Sequence, residues 1–99
     1  MQLARFLNNI FKKDGFILVD AQSKNYIIGS PKRDKPIKVK ILDKKLYYKL
    51  LLHPDLYFGE AYTNGDIIIE NGSLSEFLDL ALMNFGRDEL NFFSYLINR

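Results

Sequence analysis

The sequence predicts an α+β domain in which helices cover a small, mainly antiparallel sheet. Residues 37–41 alternate apolar side chains with two lysines, as in a strand with one buried and one solvent-facing side. Residues 3–11 and 74–85 instead repeat apolar side chains at helical spacing. The chain has 99 residues, of which 47% are hydrophobic, so we expect one core and a single domain over residues 1–99.

The first dozen residues predict an amphipathic helix. Its apolar stripe consists of Leu3, Phe6, Leu7, Ile10 and Phe11. The opposite face is polar and basic, and Asp14-Gly15 marks the end of the pattern. Two alternatives remain open at this point: the helix packs on the sheet of its own domain, or it lies in a membrane interface.

Two short apolar runs at 16–20 and 26–29, separated by polar residues, predict a β-hairpin. A polar loop then leads to the strand at 37–41. Asp43 stands where a helix N-cap acceptor is needed, and apolar residues follow at helical spacing until His53-Pro54 ends that helix.

In residues 51–78 the predicted structural elements follow one another most closely. We expect a helix end, an aromatic turn, a glycine corner, a short strand and a capped helix with almost no spacer between them. The turn would gather four large side chains around Gly59 and Gly65, namely Leu56, Tyr57, Phe58 and Tyr62. Asn64-Gly65 predicts a turn with positive φ. Glu60 lies among these aromatic residues, where it would accept hydrogen bonds from backbone amides or tyrosine hydroxyls.

The three isoleucines at 67–69 are apolar on both faces and predict an interior strand. Ser73 and Glu76 have the spacing of a capping box. The helix that they open would present one apolar face and end at Gly86; the face comprises Leu74, Phe77, Leu78, Ala81, Leu82 and Phe85.

A last helix is predicted from Leu90 to Asn98, with Asp88 and Glu89 at its start. Its apolar stripe consists of Leu90, Phe93, Leu96 and Ile97, widened by Phe92 and Tyr95. The helical spacing of apolar residues continues almost to Arg99, the last residue given. We therefore expect either a longer protein or a helix that contacts a partner.

The residue types exclude most site chemistry. His53 is the only histidine and there is no cysteine, so no set of ligands for a transition metal is encoded. The glycines are isolated in the sequence and do not form a phosphate-binding loop. Asp66 and Glu70 have no neighbour that would mark either as a catalytic acid, so we expect both to be solvated charges. No apolar run approaches the roughly 20 residues that cross a bilayer, and no secretory signal is evident. We expect no catalytic, cofactor-binding or metal-binding residue here.

Charge is unevenly distributed along the chain, although its net value is only +2. Residues 32–49 contain eight basic and two acidic side chains, a net charge of +6, whereas residues 54–99 contain two basic and eight acidic side chains, a net charge of −6. The basic segment could pair with the acidic half, remain solvated, meet anionic lipid or bind nucleic acid. The residues expected to meet anionic headgroups are Lys32, Arg33, Lys35, Lys38 and Lys40.

The run from Pro54 to Asp66 resembles the N-terminal domain of cyclopropane-fatty-acyl-phospholipid synthases. That family has a Pro-x-Leu-x-x-Gly-Glu-Ala/Ser-Tyr-Met-x-Gly run before a short strand and an amphipathic helix. The similarity extends to residues 16–21, ending in Asp-Ala, and to residues 36–43, so it covers most of residues 16–83. Thr63 departs from the usual Met. A looser similarity is to sterol-carrier-protein domains, which surround an apolar tunnel.

The resemblance implies a noncatalytic, lipid-facing or docking domain of an S-adenosylmethionine-dependent methyltransferase, which adds a methylene across an unsaturated acyl chain of a membrane phospholipid. Cofactor and catalytic residues of such enzymes lie in a C-terminal Rossmann-like domain, toward which residues 87–99 would lead. It also implies a bacterial cytoplasmic protein at the inner face of the membrane. The expected lipid or interdomain contacts are Leu56, Tyr57, Phe58, Glu60, Tyr62, Phe77, Leu78 and Ala81. The alternative is a free-standing protein-interaction module without a lipid ligand; a nucleic-acid partner is not expected.

Overall fold

The computed structural model describes residues 1–85, apart from the side chain of Asp55. Within this range the chain forms four helices and four strands, which confirms the α+β class. Their order is α1 (Gln2–Ile10), β1 (Gly15–Val19), β2 (Asn25–Gly29), β3 (Lys38–Ile41), α2 (Leu46–Leu52), α3 (Pro54–Asn64), β4 (Ile67–Glu70) and α4 (Leu74–Asn84). The predicted stop at Gly86 and the predicted helix from Leu90 to Asn98 lie outside the described residues.

The four strands form one mixed sheet in the order β2-β1-β3-β4. β1 and β2 form the predicted antiparallel hairpin, with Gly15 opposite Gly29. β1 also pairs with β3, but in parallel, with Ile17 opposite Lys38. β3 and β4 pair antiparallel. Two of the three pairings are therefore antiparallel, and the parallel one arises because the loop after β2 returns the chain to the starting end of β1.

The prediction that residues 67–69 form an interior strand is wrong. β4 is at the edge of the sheet. Ile67 is buried, but the side chain of Ile68 is 42% exposed. Three consecutive isoleucines do not distinguish a strand buried on both faces from an edge strand with one uncovered face, because strand order depends on distant parts of the chain.

The predicted aromatic turn with a corner at Gly59 is also wrong, because Pro54–Asn64 is helix α3. Pro54 occupies the first turn, where a missing N–H costs no hydrogen bond. Phe58 and Ala61 share the buried side of the helix, and their packing offsets the cost of about 1 kcal/mol for a glycine in a helix interior. The turn at Gly65 is confirmed: this residue ends α3 with φ of 82°.

The helix that begins the chain packs on its own domain, which is the first of the two alternatives for the N-terminal stripe. Leu3 and Ala4 of α1 are buried. Phe11, just after α1, lies edge-on to Phe16 with ring centroids 5.0 Å apart. Phe16 contacts Phe77 of α4 at 5.0 Å in the same manner. These aromatic contacts join α1, the sheet and α4 in one core.

The capping box of α4 is confirmed. The Ser73 hydroxyl accepts from the Glu76 amide at 3.1 Å, and the Glu76 carboxylate accepts from the Ser73 amide at 3.0 Å. The prediction that Asp43 caps α2 is wrong, because the residue at the N-cap is Lys45 and no side chain caps this helix. Asp43 instead accepts from the Lys45 amide at 2.9 Å and stabilises the turn before the helix.

Candidate functional site

The residues expected to contact lipid or another domain do not form one surface. Half of them are buried core residues, namely Phe58, Phe77, Leu78 and Ala81. Leu56, Glu60 and Tyr62 are exposed on α3. Tyr57 is partly buried, and the Lys49 ammonium lies 5.5 Å from the centre of its ring. Within residues 54–64 helix α3 explains this division, since it turns Phe58 toward the core and Leu56, Glu60 and Tyr62 toward solvent, whereas Phe77, Leu78 and Ala81 belong to the buried side of α4.

The helices and the sheet enclose an apolar space of about 50 Å³, lined in part by Phe58, Phe77 and Ala81. An engineered protein cavity that binds benzene measures about 150 Å³. The space in this core is therefore much too small for an acyl chain. Among the described residues we find no apolar tunnel of the kind that the looser similarity to sterol-carrier-protein domains implied.

The side of the sheet opposite the core carries two of the exposed apolar side chains, Ile27 and Ile68, although Val19 on the same side is buried. The strand registers arrange its outward residues in two rows, Ile27-Ile17-Lys38-Glu70 and Asn25-Val19-Lys40-Ile68. We call these eight residues the open sheet face. Ile27 is 67% and Ile68 42% exposed, and each lies in a row that also contains a lysine. This face therefore combines exposed apolar groups with two ammonium groups and one carboxylate, that of Glu70, which lies 3.9 Å from the Lys40 ammonium.

The five expected headgroup residues lie in two places. Lys38 and Lys40 are on the open sheet face, whereas Lys32, Arg33 and Lys35 are exposed in the loop between β2 and β3. The loop is held in place at both ends. The Asp14 carboxylate accepts from the Lys32 amide at 3.0 Å, and the Asn71 side chain donates to the Pro36 carbonyl at 3.3 Å.

Two of the five cations are already paired. The Arg33 guanidinium lies 3.1 Å from the Glu76 carboxylate, and the Lys40 ammonium lies 3.9 Å from Glu70. Hydrogen bonds from Ser73 and the charge of Arg33 lower the pKa of Glu76. Both pairs join the basic segment to the acidic segment, so the separation of charge along the sequence is partly cancelled in space.

The Asp20-Ala21 pair that follows β1 has a structural role that the sequence pattern did not reveal. The buried Asp20 carboxylate accepts from the amides of Gln22 and Lys24, both at 2.9 Å. The Tyr26 hydroxyl donates to the same carboxylate at 3.1 Å. Burial alone would raise the pKa of Asp20, but these hydrogen bonds outweigh it and hold the pKa below its ordinary value. An Asp at the start of a polar loop is the local signal that could have predicted this turn, because its carboxylate can accept from the backbone amide two residues later.

These contacts describe a domain with an exposed amphipathic sheet face. Comparisons with models of known protein families and with curated proteins found no match. The resemblance to cyclopropane-fatty-acyl-phospholipid synthases therefore depends on the motif residues alone. Among residues 1–85, no three His, Cys, Asp or Glu side chains are placed to hold a metal ion. No helix in this range is long and apolar enough to cross a membrane.

Proposed function

We propose that this chain is a noncatalytic membrane-surface domain of a methyltransferase similar to cyclopropane-fatty-acyl-phospholipid synthases. The observation that carries the proposal is the open sheet face, where exposed Ile68 pairs with Lys40, and exposed Ile27 lies in the same row as Lys38, two strands away. Apolar side chains can enter the interfacial region of a bilayer while ammonium groups contact lipid phosphates. The proposed location is the inner, cytoplasmic face of the membrane.

The dimensions of the core affect how lipid would be bound. Because the apolar space in the core is only about 50 Å³, the acyl chain would stay in the bilayer and would not enter the domain. The domain then brings a catalytic partner to the membrane surface. Such a partner, in the same chain or a separate one, would bind S-adenosylmethionine and carry out the reaction. The exposed side of α3, with Leu56 and Tyr62, is the expected contact for it.

Cosedimentation of the full chain with vesicles tests the membrane contact. We expect binding to vesicles that contain phosphatidylglycerol and little binding to neutral phosphatidylcholine vesicles. Replacing both Lys38 and Lys40 with Gln should weaken binding by up to about thirtyfold, since each available cation near an anionic surface contributes about 1 kcal/mol and the pairing with Glu70 reduces the share of Lys40. Ile27→Asp should weaken it further by placing a charge in the apolar part of the face.

Leu52→Asp is the matched control, because Leu52 is 73% exposed but belongs to helix α2 rather than to the open sheet face. It should bind vesicles as the unmodified chain does. Circular dichroism verifies that each variant is folded. Equal, negligible binding to both kinds of vesicle would remove the membrane role.

A second candidate is a protein-interaction module without a lipid ligand. The exposed apolar side chains on α2 favour it, since Tyr48 is 70% and Leu52 73% exposed. The coding sequence beyond Arg99 separates the two candidates. A Gly-rich methyltransferase motif there supports the membrane-surface domain, whereas a stop codon with no methyltransferase gene nearby favours the interaction module.

A further inference from the structure

The chain contains two Asn-Gly pairs, Asn64-Gly65 and Asn71-Gly72. An asparagine before glycine is prone to spontaneous deamidation, because glycine has no side chain to hinder attack by its own backbone nitrogen on the asparagine side chain. The two pairs are identical in sequence, and both asparagines are exposed. The fold nevertheless gives the two glycine amides different surroundings, and these decide how readily each can react.

The pair Asn64-Gly65 is held by helix α3. Asn64 is the last residue of the helix and Gly65 is its C-cap, with φ of 82°. The Gly65 amide donates to the carbonyls of Ala61 and Tyr62, the latter at 3.2 Å. These hydrogen bonds must break, and the end of the helix must unwind, before the nitrogen can attack. Deamidation at Asn64 is therefore slow while α3 is folded.

The pair Asn71-Gly72 lies instead in the turn between β4 and α4. Asn71 has a positive φ of 61°, and within residues 1–85 no group accepts a hydrogen bond from the Gly72 amide. No helix or strand has to open before this nitrogen attacks. Glycine is also needed here for packing, since a Cβ at position 72 would lie 2.9 Å from Cγ1 of the buried Ile37. The turn thus requires the residue type that makes deamidation easiest.

We propose that Asn71-Gly72 is a site of spontaneous deamidation in the folded domain, and that the reaction releases one end of the basic loop between β2 and β3. The Gly72 nitrogen attacks the side-chain carbonyl carbon of Asn71 and forms a cyclic imide. The side-chain nitrogen leaves as ammonia with the proton that the Gly72 amide gives up. Water then opens the imide at either of its two carbonyl carbons and yields aspartate or isoaspartate, so solvent is the only co-reactant.

The side-chain amide of Asn71 has a structural role that the product loses. It donates to the Pro36 carbonyl at 3.3 Å, and this contact holds the end of the basic loop nearest β3. An aspartate at neutral pH has no proton to donate, so deamidation removes the contact and adds a negative charge. Isoaspartate also lengthens the main chain by one methylene two residues before Ser73, the N-cap of α4. The reaction therefore loosens the loop irreversibly.

Peptide mapping by mass spectrometry tests the site. The unmodified chain is incubated at mildly alkaline pH, and conversion of amide to acid is measured separately at Asn64 and Asn71. In the folded chain we expect Asn71 to react at least about tenfold faster, because only the Gly65 amide must first give up hydrogen bonds. In concentrated urea the two rates should agree within about twofold, since both amides are then solvated.

Equal rates in the folded chain would overturn the proposal. A preference for Asn71 that persists unchanged in urea would overturn it as well, since neighbouring side chains and not the fold would then be its cause.

Limited cleavage by trypsin tests the consequence for the loop. Asn71→Asp carries the product side chain, and Asn64→Asp is the control with the same added charge at the other pair. Asn71→Asp should be cleaved after Lys32 or Arg33 about fivefold faster than the unmodified chain, whereas Asn64→Asp should be cleaved at an unchanged rate. Circular dichroism verifies that both variants are folded. Cleavage of Asn71→Asp no faster than that of Asn64→Asp contradicts release of the loop. Neither measurement involves vesicles, so both are independent of the proposed membrane contact.

Discussion

The Arg33 guanidinium and the Glu76 carboxylate lie 3.1 Å apart and connect the basic loop between β2 and β3 to the first turn of α4. The other oxygen of the same carboxylate accepts from the Ser73 amide at 3.0 Å. One acid thus completes a helix cap and neutralises a cation of the loop. Arg33 is consequently less available to a lipid phosphate than the exposed Lys32 or Lys35.

If the domain binds anionic membranes, Glu76→Gln should strengthen that binding about fivefold. The amide side chain can still accept in the capping box, while Arg33 becomes available to a phosphate group. Asp79→Asn is the control, because Asp79 is an exposed acid of α4 that forms no ion pair within residues 1–85. Both variants remove one negative charge, so vesicle cosedimentation should show the larger gain for Glu76→Gln. Equal gains would mean that only net charge matters.

The stability of the domain should fall in acid partly through Asp20. The pKa of Asp20 is lowered in the folded state by its hydrogen bonds to Lys24, Gln22 and Tyr26, which outweigh burial. A lowered pKa gives stability that is present above the unfolded-state value of about 3.9 and is lost as the pH falls through the folded-state value.

Asp20→Asn should therefore cost about 1–3 kcal/mol at pH 7, and the difference from the unmodified chain should shrink below about pH 4. Urea unfolding at a series of pH values measures both quantities. A difference that stays constant down to pH 2 would contradict a role for the ionised carboxylate.

Gly29 and Gly65 form a matched pair for separating backbone strain from steric contact. Both have positive φ, 69° and 82°. A Cβ at Gly29 would lie 2.4 Å from the Asp14 carbonyl oxygen, whereas one at Gly65 would meet nothing within 4 Å. We expect Gly65→Ala to cost about 1–2 kcal/mol and Gly29→Ala to cost roughly 1–3 kcal/mol more. Thermal or urea unfolding measures the loss of unfolding free energy in each variant. Equal losses for Gly29→Ala and Gly65→Ala would show that the hairpin end moves to accommodate the methyl group.

Substitutions in α3 test whether its aromatic residues belong to a helix with distinct faces. Phe58→Ala should destabilise the domain by about 3–5 kcal/mol, because this buried ring lies 5.2 Å from that of Phe77. Tyr62→Ala should cost less than about 1 kcal/mol, because its side chain is 37% exposed. Similar losses of unfolding free energy in the two variants would favour the aromatic turn that the sequence pattern predicts.

Features with a local signal could be predicted from the sequence. The hairpin of β1 and β2, the capping box of Ser73 and the turn at Gly65 each depend on residues close together in the chain. Helix α3 was missed because the glycine at 59 and the cluster of aromatic residues suggest a turn. Packing of Phe58 against α4, which starts sixteen residues later at Leu74, decides in favour of the helix.

The candidate site was also predictable only in part, because some of its features depend on contacts between distant parts of the chain. The alternation of Lys38 and Lys40 with apolar residues correctly predicted that these lysines lie on a less buried side of the sheet. The exposure of Ile27 and Ile68 on that side depends on the strand order and on which face the helices cover. Both are long-range properties, and no local pattern encodes them.

The order of strands in the sheet also determines which strand pairs a nascent chain can form during translation. β1 and β2 can pair as soon as residue 29 has left the ribosome, but β4, at the far edge, pairs with β3 only after α2 and α3 have been synthesised. Until then the outer edge of β3 and the apolar side of the early sheet remain exposed to other chains. A pause in translation while residues 42–66 are leaving the ribosome should therefore produce the species most dependent on chaperones.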